Sequence, residues 1–241
     1  MTNAAEGSSD MSVLWQSIAM IVVSELGDKT FLIAAILAMR NPQLVVFSGS
    51  FGALSAMSVL SALLGQILPA LLPKSYTQIL AAMLFIVFGV KMFNDAKGME
   101  GGRKEVEEEM QEAIQEIEHD GDDLPKPSSQ RQKRSIKTTL AALLSPAFVQ
   151  AFILTFLGEW GDRSQISTIA LAAAHGWKTV AFGTSLGHGM CTALAVLGGR
   201  IVASKISIKT VTFGGSALFV LFGFIYIWEI LVSVTSPAIQ A

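Results

Sequence analysis

Residues 24–30 read Ser24-Glu25-Leu26-Gly27-Asp28-Lys29-Thr30, and residues 158–165 read Gly158-Glu159-Trp160-Gly161-Asp162-Arg163-Ser164-Gln165. Both strings carry the pattern Glu-x-Gly-Asp-basic-hydroxyl, and a shift of 134 positions superposes them without a gap. The same shift carries Gln16 onto Gln150, Gly49-Ser50 onto Gly183-Thr184, Ser58 onto Thr192, Gly65 onto Gly199, and Phe88-Gly89 onto Phe222-Gly223. Apolar residues coincide easily under such a shift, whereas a shared polar string of this kind does not. The chain is read as a duplication.

Around the motifs the sequence is apolar. Of 241 residues, 51% are hydrophobic and 15% charged, and the mean hydropathy is +0.53. This excludes a disordered chain and describes an integral membrane protein rather than an ordinary soluble domain. Charge is concentrated between Asp95 and Lys137, which hold 12 of the 19 acids and 8 of the 17 bases. A helix needs about 20 apolar residues to cross a bilayer. Windows of that kind run from Val13 to Met39, Leu44 to Leu68, Tyr76 to Phe93, Leu140 to Ala174, Thr179 to Val202 and Val211 to Val234. Asn41-Pro42, Pro69 to Lys74, His175-Gly176-Trp177 and Ser204 to Lys209 separate them. The fourth window is long, and Ser145-Pro146 is expected to kink it or to start a lead-in helix.

The expected fold is therefore an all-α membrane protein with six transmembrane helices. Three spans per copy is an odd number, so the second copy enters the membrane from the opposite side. The result is two inverted-topology three-helix repeats, an architecture of secondary transporters with the substrate site between the copies. The expected organisation is an N-tail over 1–12, a first repeat over 13–94, a loop over 95–137, a second repeat over 138–234 and a C-tail over 235–241. The N-tail lacks the positive region of a cleaved signal peptide, and the first window is read as a retained span. On the side of the termini stand Lys74 and Lys178, against 13 basic residues on the other side. The positive-inside rule makes the loop cytoplasmic and the termini lumenal or exterior. Within the loop, Val106, Met110, Ala113/Ile114 and Ile117 recur at helical spacing, which predicts a short amphipathic helix in a solvated connector.

The chemistry lies in the two motifs. Glu25, Asp28, Glu159 and Asp162 fall near the middle of the first and fourth windows, where ionisable residues are costly and so are functional by default. On a regular helix Glu25, Asp28 and Lys29 share an arc of roughly 100°, and Glu159, Asp162 and Arg163 repeat the arrangement. Gly27 and Gly161 permit close crossing or local unwinding. Thr30 and Ser164 join the site only if the helices unwind. One reading leaves the carboxylates structural, each glutamate paired with its base at i+4. Four acids and two bases, however, leave a charge of −2, which two protons or one divalent cation would cancel. Oxygen ligands with no thiolate or imidazole in the motif suit a hard cation such as Ca²⁺ or Mn²⁺. Protons compete for clustered, desolvated carboxylates, so exchange of a divalent cation for protons follows. Lys29 and Arg163 are expected to balance charge, and Glu25 and Glu159 to couple protons.

His188, midway along the fifth window, is expected to relay protons or line the site, or else to be a packed, hydrogen-bonded histidine. Gln165 is a candidate ligand whose counterpart is Phe31. Ser50 and Thr184, related by the repeat, are candidate ligands too, while Ser58 and Ser61 read as helix packing. The string Gly183-Thr184-Ser185-Leu186-Gly187 imitates a nucleophile elbow, but that motif needs a strand-to-helix turn and this one lies in an apolar helix. No HExxH, P-loop or dinucleotide fingerprint is present, so the chain is not read as an enzyme and calls for no cofactor. The single Cys191 cannot form an internal disulfide. A net charge of −2 gives no nucleic-acid footprint. The expected partners are membrane lipids, with divalent cations and protons as cargo, and self-association into a homo-oligomer is compatible with the apolar surface.

The paired strings resemble the signatures of the Golgi calcium/manganese–proton antiporters, the transmembrane protein 165 family. The resemblance extends over roughly Ser17 to Val232, including Phe31 to Arg40, Ser145-Pro146 with Phe148-Val149-Gln150, Gly187-His188 and Gly198-Gly199-Arg200. It implies a Golgi membrane protein that moves Mn²⁺ and Ca²⁺ into the lumen against protons. Its implied ligands are Glu25, Asp28, Glu159 and Asp162, with Thr30 and Ser164 as helpers. Rival readings are a divalent cation channel of the same fold and a non-transporting membrane assembly protein.

Overall fold

Apolar runs punctuated by Gly, Asn and Pro fold here into helices. The computed structural model describes residues 2–71, 73–99, 108, 110–118, 145–205 and 208–235. Among them the secondary structure is helix and turn, without a strand. In chain order the helices are α1 (Thr2–Glu25), α2 (Lys29–Arg40), α3 (Gln43–Leu71), α4 (Lys74–Gly98), α5 (110–118), α6 (Pro146–Gly158), α7 (Arg163–Ala174), α8 (Trp177–Lys205) and α9 (Ile208–Thr235). The loop residues 119–144 and most of 100–109, and the tail 236–241, lie outside the described residues. α1 begins at Thr2, so the stretch read as an N-tail continues the first helix.

Among the described residues, four helices contain stretches long and apolar enough to cross a membrane: Gln43–Pro69, Tyr76–Gly98, Trp177–Gly198 and Lys209–Val232. The two motif windows differ from expectation in one respect, because neither is an unbroken helix. α1 stops at Glu25 and α2 starts at Lys29; α6 stops at Gly158 and α7 starts at Arg163. Gly27 and Gly161 adopt φ of 85° and 82°, a left-handed backbone that a regular helix cannot contain. The arc shared by Glu25, Asp28 and Lys29 on a continuous helix therefore does not form. Local chemistry sets the other boundaries. Ser145 caps α6 by accepting from the Phe148 N–H at 3.2 Å, with Pro146 opening the helix. This matches the lead-in helix expected at Ser145-Pro146. Asn41 closes α2, its N–H donating to the Leu37 carbonyl at 2.8 Å.

α2 and α7 have 12 residues each, or roughly 18 Å of helix, which is well short of a bilayer core. Thr30 to Ala38 are all buried in α2, as are Ala170 to Ala174 in α7. The long helices enclose them. α1 runs against α8, and α6 against α3, through glycines. A Cβ on Gly49 would stand 2.7 Å from the Phe148 carbonyl oxygen and 3.0 Å from Ala151 Cβ. A Cβ on Gly183 would stand 2.7 Å from Ser17 Cβ and 3.1 Å from the Leu14 carbonyl oxygen. Leu14 and Ser17 become Phe148 and Ala151 under the shift of 134. α4 and α9 meet in the same reciprocal way. Gly89 faces Val220 and the Ser216 carbonyl, while Gly223 faces Ile86 and the Ala82 carbonyl, again counterparts. In lipid, where burial gives helices little reason to associate, such small-residue contacts supply dispersion packing. Phe85 adds edge contacts to Phe219 and Phe222 at 5.8 and 6.0 Å.

Large apolar side chains such as Leu197, Trp228 and Phe182 are exposed on the outside of the bundle, as expected of a surface facing lipid. α5 lays Ala113 and Ile117, both buried, on a cluster formed with Phe31, Ala34 and Ala195. The amphipathic helix read in the loop thus exists over 110–118, and it docks on the bundle instead of standing in solvent. Gln150 fastens it, donating to the Ile117 carbonyl at 3.2 Å.

Candidate functional site

The two helix breaks place the motif side chains. At each break the aspartate N–H donates to the carbonyl of the glutamate three residues back, from Asp28 to Glu25 at 3.1 Å and from Asp162 to Glu159 at 3.3 Å. The chain then re-enters a helix at the basic residue. Asp162 caps α7, its two carboxylate oxygens accepting from the Ser164 and Gln165 N–H groups at 2.8 and 2.7 Å. Asp28 occupies the equivalent cap position of α2 without a side-chain cap bond. Gln165 steadies the second break by accepting from the Gly161 N–H at 2.7 Å.

The breaks bring the hydroxyls into the site. Thr30 Oγ1 donates to Glu159 Oε1 in a short, buried hydrogen bond between the copies. Ser164 reciprocates from the second copy to Glu25. Each motif's hydroxyl therefore holds the other motif's glutamate. The buried Glu25 and Glu159, 3% and 2% exposed, are joined by Asp162, and ligand oxygens of the three lie within 4.8 Å of one another. Oxygens bound to one Ca²⁺ stand about 2.3–2.6 Å from it, so this separation fits a single cation. Asp28 lies outside that triangle, within charge–charge range of Arg163 and Asp162. Arg163 also acts on Glu25. Lys29 turns elsewhere, with Nζ 2.6 Å from Glu116 Oε2 on α5.

Two cavities flank the carboxylates, and most of their lining residues are counterparts under the same shift. One has Glu159 and Asp162 with Ser164, Gln165 and Thr168 of α7, Met57, Ser58 and Ser61 of α3, and His188. The other has Glu25 with Thr30, Phe31 and Ala34 of α2, Ser50 of α3, Thr155 of α6, and Cys191, Thr192 and Ala195 of α8. Leu54 lines both. The α7 cavity is the more polar. The α2 cavity is walled by Phe31, Ala34 and Ala195, the residues on which α5 packs.

His188 lines the α7 cavity, with Nδ1 3.9 Å from Glu25 Oε1. Ser50 lines the α2 cavity and receives a hydrogen bond from Thr155 at 3.1 Å. Its counterpart Thr184 is turned back on its own helix, donating to the Val180 carbonyl at 2.8 Å. Ser185 sits inside α8, with no turn to make it a nucleophile. Sequence reasoning missed Thr155 and Thr168, and it assigned Ser58 and Ser61 to packing. Thr168 could have been found, since it lies four residues after Ser164 on one helical face.

The family model for "Divalent cation/proton antiporter GDT1" matches residues 13–100 and 147–233, two blocks that begin 134 positions apart. The chain is 41% identical over 232 residues to a GDT1-like protein of Schizosaccharomyces pombe, covering 88% of this chain and 81% of the relative. It is 43% identical over 218 residues to GDT1-like protein 3 of Oryza sativa subsp. indica, covering 88% and 72%. Against the divalent cation/proton antiporter GDT1 of Saccharomyces cerevisiae the identity is 40% over 242 residues, covering 92% and 85%. No solved structure matches the chain. The chain belongs to the divalent cation/proton antiporter GDT1 family.

Proposed function

We propose that this protein exchanges Mn²⁺ and Ca²⁺ for protons across the Golgi membrane by alternating access. The fold we assign is six spans in two inverted-topology repeats. In it the broken pairs α1–α2 and α6–α7 serve as the first and fourth spans, and α3, α4, α8 and α9 as the others. The termini face the lumen and the loop over 95–137 faces the cytosol. Glu25, Asp28, Glu159 and Asp162, helped by Thr30, Ser164 and Gln165, form the cation site. Glu25 and Glu159 release protons as the cation binds, and Arg163 offsets part of their charge, whereas Lys29, expected to share that role, is drawn off to Glu116.

One observation carries this reading: glutamates from two sequence-related breaks are buried within a few ångströms of each other, each held by the other copy's hydroxyl. Such a site is built from both copies at once. Rocking one copy against the other would open the α7 cavity or the α2 cavity to the carboxylates in turn. The three carboxylates of the triangle and Arg163 leave a formal charge of −2, which one divalent cation or two protons would cancel. Exchange of one for the other is then electroneutral.

The test is uptake of Mn²⁺ and Ca²⁺ into proteoliposomes under an imposed pH gradient, with Glu25→Gln and Glu159→Gln as comparisons. Uphill uptake driven by the gradient, lost in both variants while they stay folded, is expected. Flux indifferent to the gradient would point to a channel. Unfolding of both variants, with no flux from the intact chain, would point to a membrane assembly protein.

A further inference from the structure

Within the α7 cavity, buried polar atoms gather without partners. Glu159 Oε2, His188 Nδ1, Ser58 Oγ and Ser61 Oγ all line it, and none has a hydrogen bond. Buried polar groups are nearly always satisfied, so four such atoms around one cavity ask for an occupant that they can bind together. In the α2 cavity the hydroxyls are engaged: Thr30 with Glu159, Thr155 with Ser50, and Thr192, the counterpart of Ser58, with the His188 carbonyl.

The imidazole distinguishes the two cavities. His188 is 4% exposed, and its repeat counterpart is Leu54, so one copy supplies a nitrogen where the other supplies a methyl group. The 3.9 Å from His188 Nδ1 to Glu25 Oε1 is too long for a hydrogen bond. It suits two donors on one metal ion, each about 2.0–2.6 Å from the centre. A resting histidine would place that nitrogen on a carbonyl, a carboxylate or a hydroxyl at hydrogen-bonding distance, and here it does not.

We propose that His188 is a direct ligand of the transported cation through Nδ1, and that this nitrogen makes the site prefer Mn²⁺ to Ca²⁺. The inference rests on the carboxylates forming the transport site. Ca²⁺ takes oxygen ligands only, whereas Mn²⁺, although it favours oxygen too, is a transition ion whose affinity gains from a nitrogen donor where that of Ca²⁺ does not. A cage of carboxylates and hydroxyls alone would bind both ions. Adding His188 raises affinity for Mn²⁺ and adds nothing for Ca²⁺. Discrimination then resides on the α7 side of the site, because Leu54 offers no donor on the other.

The experiment is pulsed electron paramagnetic resonance on Mn²⁺ bound to the purified full-length chain, together with equilibrium competition by Ca²⁺. The intact protein should show ¹⁴N modulation from a coordinated imidazole. His188→Leu and His188→Gln should both abolish the modulation and weaken Mn²⁺ by at least about tenfold. Ca²⁺ affinity should hold, which also certifies that the variants are folded. Bound Mn²⁺ with no ¹⁴N coupling in the intact protein would overturn the assignment of His188 and leave the carboxylate site standing. So would equal weakening of both ions in the variants. If neither ion binds the intact chain in a manner that Glu159→Gln abolishes, the transport reading falls and this inference falls with it.

Discussion

Replacing Thr30 by valine removes one donor and almost no volume from the centre of the molecule. The Thr30 hydroxyl donates to Glu159 Oε1, and the other oxygen of that carboxylate has no hydrogen-bond partner. Thr30 and Glu159 are 5% and 2% exposed, so water cannot easily replace the lost donor. A hydrogen bond to a charged group contributes about 1.5–3 kcal/mol, which converts to about 10- to 150-fold in an equilibrium constant. Thr30→Val should therefore weaken Mn²⁺ binding by about one to two orders of magnitude while the protein remains monodisperse. Thr30→Ser keeps the hydroxyl and should stay within about threefold of the parent. Titration of Mn²⁺ into purified protein, followed by the free-ion resonance signal, reads both. Binding by Thr30→Val within about twofold of the parent would refute the claim that this contact between copies holds the carboxylate. Equal losses in the valine and serine variants would move the effect from the hydroxyl to packing.

Ser164→Ala should mirror Thr30→Val, since Ser164 acts on Glu25 from the opposite copy; unchanged binding would contradict the reciprocal arrangement. Gly161 has φ of +82° and open space where a Cβ would stand, so its substitution is penalised by backbone conformation alone. Gly161→Ala should destabilise by about 1–2 kcal/mol, and Gly161→Asn by less, in thermal unfolding; equal losses would refute the conformational argument. Gly223→Val places carbon where a Cβ already comes 2.5 Å from Ile86 Cγ1, and should cost about 1–3 kcal/mol through overpacking of α4 on α9. Gly214→Ala in the same helix meets nothing within 4 Å and should be close to neutral, so comparable damage from both would argue against the α4–α9 contact. The Lys29–Glu116 ion pair is partly solvated, with side chains 40% and 34% exposed. Its coupling in a double-mutant cycle with Lys29→Gln and Glu116→Gln should not exceed about 1 kcal/mol, and a much larger value would show that it clamps α5 to the motif.

Much of this was legible because it is periodic or local. The offset of 134 is visible in five motif positions, and the structure repeats it in the Gly49 and Gly183 contacts and again in the Gly89 and Gly223 contacts. Ser145-Pro146 announces the start of α6, since its cap and its fixed φ need only neighbouring residues. Met110, Ala113, Ile114 and Ile117 announce α5 by spacing alone. The helix breaks were less legible. A glycine inside an apolar run is tolerated by a membrane helix, and composition does not reveal whether its φ will be positive. Gly27 and Gly161 do take that conformation, and so Thr30 and Ser164 reach glutamates more than a hundred residues away in sequence. Lys29 shows the same limit. On a regular helix its nearest carboxylate is Glu25, but the break turns it toward Glu116, on a helix that is contiguous only in space. Ser58 and Ser61 read as packing because serines in apolar helices usually are, and their cavity exists only once α7 is placed beside α3.

Both copies contribute to one site, and the number of ions bound tests that claim most directly. Equilibrium binding of Mn²⁺ to the purified chain, measured alongside Glu25→Gln and Glu159→Gln, should give one ion per chain, and either substitution should abolish it. Two ions per chain, with each substitution removing one and sparing the other, would mean that the copies carry separate sites and would contradict the shared centre.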